Sequence, residues 1–145
     1  MAKNKLPEKL SALILAALKD LQRVRRRKNV AVDMGTWHES LSTGGCIVCF
    51  GGAVMAGTLK VPDSHMAYPE HFADHTRDRL CALNYLRRGE LGDALSVVGA
   101  KRPVDFYGAP DVAPVFGEGL SSAGRSARFY REMRAVAAWL KERGL

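Results

Sequence analysis

Two cysteines and two histidines carry spacings that bind metal ions: Cys46-x2-Cys49 and, further along, His71-x3-His75, with His38 and His65 as additional imidazoles. Thiolates three residues apart and imidazoles one helical turn apart can each close on one ion, so zinc is the first chemistry to weigh. The setting argues against it. A zinc knuckle sits in a polar, glycine-rich turn, whereas "CIVCFGGAVMAG" (46 to 57) is the most apolar stretch of the chain. Buried free cysteine is a common small hydrophobe, and packing is the simpler reading of both thiols.

The same cysteines follow Gly44-Gly45, and a thiol at a helix N-terminus has its thiolate stabilised by unpaired N–H groups. With His38, His71 or His75 as base, Cys46 or Cys49 would resemble the nucleophile of a thiol-dependent hydrolase. The papain-type local signature is absent, and no base is singled out by spacing. Phosphate cradles fare worse: "GGCIVCFGG" lacks the lysine and Ser/Thr of a P-loop and the spacing of a dinucleotide turn. "GEGLSSAGRS" (117 to 126) lacks a preceding strand and reads as a loop capped by Ser122 or Ser126, beside Arg125 and Arg128.

Charge is the other chemical signal. The formal net charge is +7, and residues 1 to 29 alone carry that excess, ending in "RVRRRK", while residues 30 to 75 are net acidic. Arg23, Arg25, Arg26, Arg27 and Lys28 form a block that can neutralise phosphates or an acidic partner surface. A solvated helix face with cations at the helix C-terminus accounts for the same residues. Phe106, Tyr107 and Phe116 lie in a proline-rich stretch with only Lys101 and Arg102 as basic neighbours, and no RNP, KH or helix-turn-helix signature is visible.

These groups must be positioned by a mostly α-helical single domain of about five helices. Leu10, Ile14, Ala17, Leu21 and Val24 recur at four- and three-residue steps, widened by Leu13 and Leu18, predicting a basic amphipathic helix over 7–28 with Pro7 in its first turn. "VAVDMGTW" alternates as a short strand or hairpin near 30–37. The run 46–57 reads as a buried apolar helix, in which Gly51 and Gly52 imply close approach of a backbone or a ligand. A helix pair over 70–98 turns at Gly89, an irregular Pro/Gly-rich connection covers 99–124, and a C-terminal helix spans 125–143.

A chain of 145 residues, 47% hydrophobic and 26% charged, fits one soluble domain. Three cysteines are too few and too uneven for a disulfide framework, which points to a reducing cytoplasm. The N-terminal apolar run is broken by Lys9, Ser11 and Lys19, so neither a signal peptide nor a membrane span is expected.

The combination "DMGTW" (33 to 37) with "CIVCFGGAVMAG", followed by "RRGELGDA" (87 to 94), resembles a pattern in small uncharacterised proteins of tailed bacteriophages and prophages, of the form Cys-x-Val-Cys-x-x-Gly-x-Val-Met. The resemblance covers roughly residues 30 to 98, with Phe50 and Gly51 standing where Leu and Ala are expected. It implies an accessory protein acting in the host cytoplasm and brings no catalytic residue or cofactor. The leading expectation is therefore a non-enzymatic protein that binds a host protein or nucleic acid through the basic helix, with homo-oligomerisation compatible. The alternatives are a zinc-stabilised nucleic-acid-binding module, a thiol-dependent hydrolase and a virion component.

Overall fold

The computed structural model describes residues 5–63, 67–115 and 123–145, with side chains from 127 onward in the last of these stretches. Helix α1 (Leu10–Arg26) buries Leu10, Leu13, Ile14, Ala17, Leu18, Leu21 and Val24 along one side, the stripe its periodicity predicts. It packs against α5 (Ala123–Glu142), α2 (Phe50–Ala56) and the sheet, so its apolar face organises the core. The Ser11 hydroxyl donates to the Leu145 carbonyl, while Tyr130 lies beside Arg25. α1 and α5 therefore run antiparallel, and the basic end of α1 meets the start of α5.

Three short strands follow α1: β1 (Val30–Val32), β2 (His38–Ser40) and β3 (Cys46–Val48), in the order β1-β3-β2. β1 pairs with β3 in parallel, Val30 opposite Cys46, and β2 pairs with β3 antiparallel, His38 opposite Val48. The expected helix over 46–57 is thus corrected: Cys46–Val48 is the central strand, Cys49 caps α2, and helix begins only at Phe50. A continuous apolar run has no period to separate a strand buried on both sides from a helix, and here one passes directly into the other.

The segment before β2 explains the paired glycines. The Asp33 carboxylate accepts from the Gly35 amide at 2.8 Å, which turns the chain, and Met34 is buried in the core. Trp37 then lies across α2. A Cβ on Gly51 would stand 2.3 Å from Trp37 Cζ3, and one on Gly52 would stand 1.5 Å from the Trp37 carbonyl oxygen. The close approach demanded by these glycines is therefore that of a tryptophan and its backbone.

Asp20, buried on α1, fastens the end of α2 by accepting from the Thr58 amide at 3.1 Å and from the Thr58 hydroxyl. Lys60 adopts φ 55°, and Val61 donates to the Met55 carbonyl at 2.8 Å, returning the chain to the sheet. Helices α3 (Asp74–Arg87) and α4 (Leu91–Val97) form the expected pair, with Gly89 at φ 75° between them.

The described part of the connection, 99–115, is irregular apart from one 3₁₀ turn at Phe106–Gly108. Val115 donates to the Arg87 carbonyl at 2.6 Å and Ala113 donates to Glu132 at 2.9 Å, tying the connection to α3 and α5. Asp105 pairs with Arg143, whose guanidinium stacks 4.0 Å from the Trp139 ring centroid. His65, Phe116 and Ser122 lie outside the described residues. Among those described, no helix is long and apolar enough to cross a membrane.

Candidate functional site

His38 and Cys46 come together because residues on β2 and β3 that share one face of the sheet point inward. In the antiparallel register Ser40 stands opposite Cys46 and His38 opposite Val48, so the four side chains occupy the same face. His38 and Cys46 are buried, whereas Glu39 between the inward positions of β2 is exposed. The third member, Asp63, arrives from the segment after α2. The Ser40 hydroxyl donates to the Asp63 backbone carbonyl and pins that segment to β2.

One oxygen of Asp63 then accepts from the Cys46 thiol at 3.5 Å. The other pairs with the Arg27 guanidinium and accepts from Asn29 Nδ2 at 3.4 Å. Donor atoms of His38, Cys46 and Asp63 all lie within 4.8 Å of one another, the one such group of three among the described residues. Burial, followed by the Asp63 carboxylate and its hydrogen bond, pushes the Cys46 thiol up to about 11. As the structure stands Cys46 is a protonated donor and not a nucleophile.

Cys49 points elsewhere. Its sulfur accepts from the Gly52 amide at 3.4 Å as the cap of α2, and burial pushes its thiol up to about 11 despite that bond. Helix-terminal activation of a thiolate, considered above, is outweighed by desolvation. The four-residue set Cys46, Cys49, His71 and His75 does not assemble. His75 pairs with Glu8 at 3.2 Å and contacts Arg79 at 3.1 Å, while His71 Nδ1 accepts from the Tyr68 amide at 3.4 Å ahead of α3. Spacing brought the right residue types into view, but the tertiary fold groups Cys46 with His38 and Asp63. Asp63 had no sequence signal beyond a Pro-Asp-Ser turn.

The basic block forms a second feature beside the first. Arg23, Arg25, Arg26, Arg27 and Lys28 are all exposed. Arg27 is drawn onto Asp63, whereas Arg25 and Arg26 line a depression of about 290 Å³ with Gln22 and Tyr130. From α5, the Arg134 guanidinium lies 5.6 Å from the centroid of the Tyr130 ring, and Arg131 is exposed on the same helix. Arg128 is neutralised by Glu132 at 2.9 Å. The contribution of Tyr130 and Arg134 was invisible in sequence because it depends on how α5 packs on α1.

Comparison with protein-family models, with curated proteins and with solved structures finds no match to this chain.

Proposed function

We propose that the protein is a non-enzymatic phage or prophage accessory protein that binds a polyanionic host macromolecule through the basic surface where α1 ends and α5 begins. The carrying observation is the convergence of Arg25 and Arg26 on α1 with Arg134 on α5 around Tyr130, with Arg23 and Arg131 exposed on the same two helices. Cations held on two packed helices present charge in a fixed arrangement, and a planar guanidinium on an aromatic face is already ordered before it meets a phosphate or carboxylate. The host cytoplasm as the place of action, and phage origin, rest on the resemblance carried by residues 30 to 98. In this reading "DMGTW" and "CIVCFGGAVM" build the scaffold: Trp37 seats on Gly51 and Gly52, and Cys49 caps α2.

Capture from host extract by the wild-type chain and by an Arg23→Ala/Arg25→Ala/Arg26→Ala variant, each with and without nuclease, tests the proposal. The wild type should retain a partner that the triple variant loses. Loss on nuclease treatment identifies nucleic acid, and persistence identifies an acidic protein. Equal capture by both chains would contradict the proposal, provided their circular dichroism spectra agree.

A further inference from the structure

We propose that His38, Cys46 and Asp63 form a binding site for one zinc-class divalent cation that clamps the segment after α2 onto the three-stranded sheet. The donor set is an imidazole, a thiol and a carboxylate, the three side-chain types that zinc takes. Two of the three are carried by paired strands with a fixed register, which limits how far their Cβ atoms can move apart. The third is held from behind, because Ser40 binds the Asp63 backbone while Arg27 and Asn29 hold its outer oxygen. That leaves the inner oxygen directed at Cys46, an arrangement suited to one-oxygen coordination with a cationic group orienting the ligand.

The edge between Cys46 and Asp63 agrees with a tetrahedral ion. With zinc about 2.3 Å from sulfur and about 2.0–2.2 Å from oxygen, the edge between the two ligands is about 3.5 Å. The separation of Cys46 Sγ from Asp63 Oδ1 is 3.5 Å. His38 lies within the same 4.8 Å group and supplies the third ligand of the proposed site. On binding, the sulfur–hydrogen bond of Cys46 is replaced by a sulfur–metal bond and the proton passes to solvent. Charge also balances: thiolate and carboxylate offset the dication, and Arg27 remains bound to the carboxylate oxygen that faces away from the ion.

The sheet gives such a clamp a purpose. Its strands are three residues each, so few ladder hydrogen bonds hold β2 to β3, and no disulfide forms because all three cysteines are free. A metal joining β2, β3 and the incoming segment would supply a cross-link where the backbone supplies little. It would also fix Asp63, and with it Arg27, at the edge of the basic surface.

Titration of the metal-stripped full-length protein with Co²⁺, a spectroscopic stand-in for zinc, tests the assignment. One equivalent should bind, with a thiolate-to-cobalt charge-transfer band that added Zn²⁺ abolishes. The band should be lost in Cys46→Ser, retained in Cys49→Ser, and shifted to at least tenfold higher cobalt concentration in Asp63→Asn. Zn²⁺ should also raise the Tm of the wild type. Binding of less than a tenth of an equivalent by folded wild-type protein would overturn the proposal, as would a band that survives Cys46→Ser or disappears in Cys49→Ser. The wild-type stoichiometry and the Cys49→Ser spectrum decide the matter even if Cys46→Ser fails to fold.

Discussion

The Trp37 carbonyl leaves no room for a side chain at Gly52, where an added Cβ would sit 1.5 Å from the oxygen. Backbone cannot yield as a flexible side chain can, so Gly52→Ala should destabilise the protein by about 3 kcal/mol or more, read as a fall in Tm. Gly108→Ala, with nothing within 4 Å of its added Cβ, should stay within about 0.5 kcal/mol of wild type. The thiols supply a second test at this scale. Burial pushes both the Cys46 and the Cys49 thiol up to about 11, so both stay protonated at neutral pH. Neither should be alkylated by iodoacetamide until the protein is unfolded, and rapid labelling of either in the native protein would contradict the buried assignment. The Gly-Gly pair before Cys46 invited a reading of thiol activation. Side chains whose partners lie far along the chain decided otherwise.

At the scale of elements, α1 is held at both ends and in the middle, and two carboxylates respond oppositely to pH. Glu8, just before α1, accepts from Arg79 of α3 at 2.9 Å and pairs with His75, and these partners lower its pKa below the ordinary 4.5, the His75 hydrogen bond foremost. Its contribution is complete above pH 4.5 and lost as pH falls through the lowered value. Asp20 is raised above its ordinary 3.8, burial outweighing the bonds from Thr58. Its contribution is complete below pH 3.8 and declines as pH rises through the raised value. Denaturation followed from pH 2 to 7 should therefore show a weaker acid-side loss of stability in Glu8→Gln and a steeper net loss on acidification in Asp20→Asn. Identical pH profiles for the variants and wild type would contradict both assignments. In the hydrophobic stripe, Leu21→Ala should cost about 2–5 kcal/mol, measured by urea denaturation, because Leu21 is fully buried between α1 and its neighbours.

The elements differed in how far they could be read from sequence. α1, α3 and α5 announce themselves by local periodicity, and Gly89 by the cap it supplies, because all of that information lies within a few turns. β3 does not: Cys46–Val48 belongs to one unbroken apolar run with α2, and only pairing with β1 and β2 makes it a strand. The histidines at 71 and 75 have metal-like spacing yet serve the start of α3, while Asp63 has an unremarkable context and stands at the centre of the ligand group. Local spacing reports which residues share a helical face; it carries no record of which loops return to a strand.

For the whole molecule, antiparallel packing of α1 and α5 joins the C-terminal turn of one helix to the N-terminal portion of the other. Two sequence-distant clusters of arginine thereby become one surface around Tyr130. Arg27 stands apart from its neighbours because it is committed to Asp63, so Arg27→Ala should disturb the Asp63 group as well as remove a surface charge. The most direct measurement of the central claim is the salt dependence of binding to a short DNA duplex, used as a defined polyanion, by wild type and by the Arg23→Ala/Arg25→Ala/Arg26→Ala variant. For phosphate contacts, log K should fall linearly with log salt, and each lost contact should reduce the slope by about 0.9. The account predicts a shallower slope by as much as about 2.7 and weaker binding at low salt for the triple variant. Equal affinities and equal slopes for the two proteins would contradict it.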